Sequence, residues 1–291
     1  MNSLLPEIAR SFDTRAENYA RGEWHRRYAE RLVTLARVAP GQHVLDAGTG
    51  TGFAALAAAR IVGPSGRVLG IDISPGMLRH AEAAARASGL TQLQFREGDA
   101  VHLGPGAAVS FDVVLCASAL LYMPAADALR EWHRVLRVGG RVAFSTMQAG
   151  SPLPAQLFRD CAAEFGVTLA DPSEPLGTVT ACRRALEAAG FTAETVLAEN
   201  VDFMTEDFAL AWEANYRSPA HLAVHRLGPA AQGSCVAPSP LGPPRADGAF
   251  AISYLRLRRP PRARRQPMRS PHEGRHQLRM EELRLGLRRR P

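Results

Sequence analysis

A chain of 291 residues, 46% apolar and 22% charged, can bury one full core with a small subdomain and has the composition of a soluble globular protein. The formal charge of +7 points to an acidic partner only until it is located: all 35 cations are arginines, and thirteen of them share residues 256–291 with three glutamates, which leaves residues 1–255 at −3. That sign excludes a basic nucleic-acid surface on the body of the chain, so any such role rests on the terminal segment alone.

Residues 1–43 read as an N-terminal helical cover, with a helix over 14–38 in which Tyr28, Leu32, Leu35 and Val38 keep the three-and-four spacing of a buried stripe. Pro40 and Gly41 stop it. Short β-branched runs then alternate with Ala-, Leu- and Arg-rich ones in HVLDAG, GFAALAAARIV, RVLGIDI, GMLRHAEAAARASG and LQFREGD, a βαβαβ pattern. FDVVLCASAL lacks polar alternation and predicts a strand buried on both faces, followed by the helix ALREWHRVLR, a turn at Gly139-Gly140 and the strand RVAFSTM. These five strands predict a doubly wound, mostly parallel α/β sheet within a domain spanning 44–228. Residues 148–181 read as an irregular excursion on the substrate side, with a helix near LFRDCAAEF, ahead of the helix ACRRALEAAG. A strand FTAETVLAENVDF follows, residues 206–226 read as helical, and 229–259 reads as an irregular segment with a last strand at 249–258. The Arg/Pro-rich residues 260–291 are expected to be a disordered tail, too poor in apolar groups to offset ordering entropy.

Cys116, Cys161, Cys182 and Cys235 are scattered without a CxxC pair, which argues against a disulfide framework and against a metal site. No window of about 18 uninterrupted apolar residues occurs. The N-terminus lacks the cationic start and apolar run of a signal peptide, so a cytoplasmic protein without a membrane span is expected.

In VLDAGTGTGF, Gly48, Gly50 and Gly52 stand between the first strand and the first helix, where glycine lets the backbone turn tightly and approach a ligand. Alone, such a turn is equally a close strand–helix contact. Asp72, at the end of the second strand, lies where a carboxylate accepts both hydroxyls of a ribose. Its other role would be to start the next helix, but Ser74 before Pro75 already supplies that cap and leaves Asp72 for a ligand. Asp99, at the end of the third strand, falls one step further round the same crevice, within reach of an adenine amino group. A nicotinamide site does not need this acid, and Phe53 replaces the third glycine of a dinucleotide GxGxxG pattern. The three elements together favour S-adenosyl-L-methionine over a nicotinamide cofactor.

The chain resembles the class I S-adenosylmethionine-dependent methyltransferases, in particular the group similar to the ubiquinone and menaquinone biosynthesis C-methyltransferases. The resemblance covers about residues 10–215 and is carried by FDTRAENY, VLDAGTGTG, GIDIS, the GDA containing Asp99, FDVVLCASALLYMP and EWHRVLRVGGRVAFS. It implies a Rossmann-like methyltransferase fold of seven strands, the last antiparallel. It also implies that Asp46 and the turn Gly48, Thr49, Gly50 and Gly52 face the methionine part and ribose, Asp72 with Ile73 the ribose, and Asp99 with Ala100 the adenine. Ser118 would lie beside the sulfonium, and Tyr19 would close over the cofactor unless it is only a core aromatic of its helix.

The implied reaction is methyl transfer to a small-molecule acceptor, aromatic, quinone-like or a secondary metabolite. An in-line displacement at an activated sulfonium draws its acceleration from alignment and exclusion of water, so a dedicated base is optional. By position the candidates are His25, Tyr122, His133 and His221, each with a purely structural reading beside it. Residues 148–181 with Phe203, Phe208, Trp212 and Tyr216 suggest a roof over an apolar acceptor, and core packing explains the same stripe. SALLYMP replaces the Asn/Asp-Pro-Pro-aromatic motif of amino-methylating nucleic-acid enzymes, which disfavours nucleic acid as partner. Two rival readings stand beside the enzyme: a cofactor-binding protein without turnover, and an RNA-directed methyltransferase tethered by the basic tail. The break in the resemblance near residue 228 is also what a shifted or drifted reading frame would leave.

Overall fold

The computed structural model describes residues 5–105, 110–151, 153–201, 215–226 and 250–258. The chain divides into two units, Met1–Pro260 and Pro261–Pro291, and every described residue falls in the first.

The helix expected over 14–38 is two helices, α1 at Leu5–Ala20 and α2 at Glu23–Leu35. The break falls at Gly22, the N-cap of α2, where a Cβ would come within 2.3 Å of His25 Nδ1. Of the expected stripe, Tyr28 and Leu32 of α2 are buried, whereas Leu35 and, beyond the helix, Val38 are half-buried against the same cluster.

The alternating segments fold as β1 (His43–Ala47), α3 (Phe53–Val62), β2 (Arg67–Asp72), α4 (Pro75–Ala87), β3 (Leu93–Glu97), β4 (Phe111–Ala117), α5 (Ala125–Val135) and β5 (Leu136–Met147). These five strands are mutually parallel in the order β3-β2-β1-β4-β5. The order reverses between β1 and β4, and the crevice beyond the strand ends at such a switch point is where α/β sheets bind ligands. Beyond the parallel part, α6 (Leu153–Glu164) and α7 (Val179–Ala188) precede β6 (Thr192–Val201). Strand β7 (Phe250–Arg258) inserts between β5 and β6 and runs antiparallel to both.

Side chains alternate across the sheet, so Leu45, Val114 and Phe144 bury on the face covered by α5 and α7, whereas Val44, Val113 and Leu115 bury on the face covered by α2 and α3. Both faces of the central strands are thus apolar, the reason β4 shows no polar alternation. Trp132 of α5 is wholly buried in the first layer. Covering about 200 Å² at ~25 cal/mol per Å² gives an upper figure of about 5 kcal/mol for that one side chain.

The turn expected at Gly139-Gly140 lies inside β5, which starts at Leu136 without a separating loop. Phe111 pairs with Leu136, but Val113 pairs with Arg141, so the intervening residues form an irregularity in the ladder, with Gly139 at φ +79°. Of the helix expected over 206–226, residues 206–214 lie outside the described residues, and Pro219–Arg226 is 3₁₀.

Candidate active site

The glycine turn leaves β1 and is fastened to β2 by two backbone bonds, Gly48 N–H and Thr49 N–H donating to Ile71 O at 2.9 Å each. Gly50 has φ +55°, and a Cβ there would meet nothing within 4 Å, so its backbone faces open space. Asp72 Oδ2 accepts from Gly50 N at 2.8 Å and Oδ1 from Ser74 N at 2.9 Å. Ser74 caps α4 as expected, its Oγ accepting from Met77 N at 3.1 Å. Asp72, however, is not left free; its carboxylate shapes the turn, with Ile73 a third backbone donor beside Gly50 and Ser74, and a ligand would use the acceptor capacity that remains. Burial raises its pKa above the ordinary carboxylate value, and the backbone donors act against that rise.

Two of the residues expected to face the cofactor lie off the cavity. Asp46 is wholly buried, its Oδ2 accepts from Thr49 Oγ1 at 2.7 Å, and burial raises its carboxyl to about 7. Gly52 faces the packed interior: a Cβ there would stand 3.0 Å from Ala81 Cβ and 3.2 Å from the Phe95 ring. Its glycine serves helix–sheet contact, the plainer reading of such a turn.

Asp99 follows β3, with Oδ1 accepting from Val101 N at 2.8 Å and Oδ2 3.0 Å from His102 Nδ1. Helix α5 fixes this loop from behind: Trp132 Nε1 donates to Ala100 O at 3.0 Å, and Leu103 N donates to Glu131 Oε1 at 2.8 Å. The role of Trp132 and Glu131 went unread in the sequence, although both belong to the EWHRVLR run already noted.

Ser118, just past β4, adopts φ +52°, a conformation uncommon for a side chain larger than glycine and one that clusters at functional sites. Its backbone N–H donates to Ser145 Oγ of β5 at 3.0 Å, which holds the strained turn in place. Above it lie α1 and α2. Asp13 of α1 reaches the N-terminus of α4, where its Oδ1 accepts from Ser74 Oγ and from Gly76 N at 2.7 Å each. The His25 ring packs between those of Tyr19 and Trp24, with centroids 3.6 and 3.7 Å away. Burial, and then the Arg15 guanidinium, hold His25 well below the usual imidazole range. Burial pushes the Tyr19 hydroxyl, 3.4 Å from that of Tyr28, well above its ordinary value.

Two cavities meet beneath this cover. The first, about 820 Å³ with its open mouth, is lined by Gly48, Thr49, Gly50, Asp72, Ile73, Asp99 and Ala100, among others. The second, about 1080 Å³ with its open mouth, lies under α1, α2, α6 and residues 215–221. Tyr19, His25, Ser118 and Tyr122 line both. His221 lines only the second, where its Nδ1 donates to Asn215 O at 3.0 Å and its ring stacks on Phe158. His133 lines neither: it projects from α5 against Phe191, 5.0 Å between ring centroids, and so is removed from the candidate bases. Of the aromatic roof, Phe203, Phe208 and Trp212 lie outside the described residues, and Tyr216 packs on the cluster of Phe158, Ala162 and Val224. Phe12, Arg15, Arg159 and Asp171 also line the two cavities; the first two stand in the FDTRAENY run, which gave no role to either, and the other two come from segments with no motif of their own. Among the described residues, no group of three or more His, Cys, Asp or Glu is arranged to hold a metal ion, and no helix is long and apolar enough to cross a membrane.

A parallel sheet with this switch point, a glycine turn and acids at successive strand ends defines the class of nucleoside-binding α/β proteins. Residues 39–190 match the methyltransferase domain family. The chain belongs to that family, within the class I S-adenosylmethionine-dependent methyltransferases, and resembles the demethylmenaquinone methyltransferases. It is 37% identical to the demethylmenaquinone methyltransferase of Lactobacillus johnsonii over 133 residues, which cover 45% of this chain and 52% of that one. It is 33% identical to the nocamycin O-methyltransferase of Saccharothrix syringae over 196 residues, 62% of this chain and 70% of that one. The chain spans about half the length of several of the curated relatives it matches. Among solved structures, the cyclase SpnF is similar at a TM-score of 0.52 and 26% identity, covering 81% of this chain and 80% of that one.

Proposed function

We propose that the chain transfers a methyl group from S-adenosylmethionine, held in the first cavity, to a small organic acceptor held in the second. The observation that carries this reading is the junction: the two cavities share Tyr19, His25, Ser118 and Tyr122, so ligands in each would touch there. The first cavity fits a nucleoside cofactor, because Gly50 offers bare backbone, Asp72 keeps acceptor capacity beside it, and Asp99 stands one strand further on. In this reading Gly48, Thr49 and Gly50 receive the methionine part, Asp72 and Ile73 the ribose, Asp99 and Ala100 the adenine, and Ser118 marks the reacting end.

The cofactor, when bound, supplies a methyl group already activated on a sulfonium. The protein's share is alignment and dryness. Helices α1 and α2 close over the junction, with Asp13 fastening α1 to α4 and the Tyr19–His25–Trp24 stack filling the space above Ser118. If the acceptor must lose a proton, His25 is the best-placed recipient: its Nδ1 packs against Gly22, which leaves Nε2 for the cavities that the ring lines. Trp24, Leu121, Tyr122 and Met147 give the second cavity an aromatic and apolar wall, which suits an aromatic, quinone-like or related secondary metabolite.

Thermal denaturation with S-adenosylhomocysteine tests the cofactor half. A ligand at 100 times its Kd should stabilise by about 2.7 kcal/mol, NAD should do nothing, and an unchanged transition with saturating S-adenosylhomocysteine overturns the assignment. Transfer of a labelled methyl group in an acceptor screen separates an enzyme from a binding protein.

A further inference from the structure

The two halves of the site differ in charge. Asp72 and Asp99 line the first cavity without a basic side chain among its lining residues other than His25, whose neutral state is favoured. The second cavity is lined by Arg15, Arg159 and Arg217 against a single carboxylate, Asp171, although residues 1–255 as a whole carry a net negative charge. Arg15 is only 7% exposed, and the Arg159 and Asp171 side chains are 12% and 17% exposed. Asp171 is shared: its Oδ1 accepts from Ser173 N at 2.9 Å, and its Oδ2 accepts from Gly150 N at 2.8 Å while lying 3.3 Å from Arg159 Nη2. One carboxylate therefore holds the 150–173 segment together and only partly offsets the guanidinium beside it. His221 stands among the same groups, with burial the main cause of its lowered pKa and both Arg159 and Arg15 adding to it. Its ring offers a neutral wall, not a further cation.

Resting on the methyl-transfer reading above, we infer that the acceptor is an organic acid, whose carboxylate docks at the end of the second cavity formed by Arg15, Arg159 and His221. A guanidinium presents paired N–H donors that match a carboxylate, and in a half-buried cavity such charge-assisted bonds are stronger than at the surface. The apolar wall of Trp24, Leu121 and Met147 takes the body of the molecule and directs its reacting atom towards Ser118. The cavity selects against neutral analogues, which leave the arginines desolvated without an anion.

Calorimetric titration of the full chain, saturated with S-adenosylhomocysteine, with 2-naphthoate and with 2-naphthamide tests this. The acid should bind at least about tenfold tighter than the amide. Arg159→Gln should reduce that preference to within about threefold, and Arg159→Lys, which keeps the charge but not the paired donors, should leave a preference between that and the wild type, with the affinity for S-adenosylhomocysteine unchanged in both. If Arg159→Gln does not fold, the wild-type preference should still shrink as sodium chloride is raised, as a charge-borne preference must. Equal binding of acid and amide, a preference for the amide, or no binding of the acid up to its solubility limit overturns the proposal. Failure of S-adenosylhomocysteine to bind counts instead against the cofactor reading, and the naphthoate comparison on the cofactor-free protein still decides this one.

Discussion

The first cavity is lined from the ends of consecutive parallel strands, at Gly48–Thr51, Asp72–Ile73, Gly98–Ala100 and Ala117–Ala119. The second gathers Arg15 from α1, Trp24 from α2, Arg159 from α6, Asp171 from a loop and His221 from a 3₁₀ turn. Backbone shape builds much of the first, and side chains brought together by tertiary packing build the second. A backbone-built site needs particular residue types at fixed spacing, because glycine takes the positive φ of the turn most readily and only a short acid reaches it. A side-chain-built site can be assembled from almost any spacing.

Substitutions can sharpen that contrast or break it. The largest effect is expected from Asp72→Asn, whose amide places an N–H against the donors Gly50 N and Ser74 N. S-adenosylhomocysteine should bind about 100-fold more weakly, roughly 2.7 kcal/mol, with the second cavity's affinity for organic anions within threefold of wild type. Loss of both together would show that the cavities are not separately built. His221→Ala is the converse: it removes a buried ring stacked on Phe158 and should cost about 1–3 kcal/mol of stability in urea denaturation. It should also weaken acceptor binding while leaving the cofactor Kd within twofold. Asp99→Asn keeps one acceptor oxygen and should cost the cofactor about tenfold in affinity, roughly 1.4 kcal/mol.

The last effect is one of pH dependence and concerns Asp46. Burial holds its carboxyl at about 7, above the ordinary value of 3.8, so the folded chain binds that proton more tightly than the unfolded one. The associated stability is complete below about pH 4, declines as pH rises towards 7, and is flat beyond. Measured against Asp46→Asn, wild-type unfolding free energy should fall by up to about 1.4 kcal/mol per pH unit between pH 4.5 and 7. A pH-independent difference would place the carboxylate in a polar contact that holds it ionised.

The same contrast explains what could be read in the sequence. Strands β1 to β5 were legible because their apolar runs are short, β-branched and bounded by Gly, Pro or Asp, and Asp72 and Asp99 because each closes such a run. Asp46 and Gly52 share the motif with the cavity-lining residues but point the other way, and spacing alone does not give direction. The break at Gly22 was hidden because a single glycine is tolerated within helical periodicity; His25 packed against it is a tertiary fact. The irregular ladder at Gly139 has the residues of a turn, and only the pairing of Phe111 with Leu136 makes it part of a strand. Arg15 and Arg159 sit on amphipathic helices and Asp171 in a loop, places where a charged residue is normally a solvated one.

Strand β7 has a consequence for how the chain is made. Among the described residues it supplies the one ladder of β6 and the outer ladder of β5, whose other edge pairs with β4; Leu136–Met147 and Thr192–Val201 have no direct pairing with one another. On a ribosome adding ~5–20 residues per second, the stretch between Val201 and Phe250 occupies roughly 2–10 s, during which β6 has emerged and its partner has not. Throughout that interval two strands present unpaired edges to the crowded surroundings of the exit tunnel, and the yield of folded protein depends on what shields them until residues 250–258 arrive.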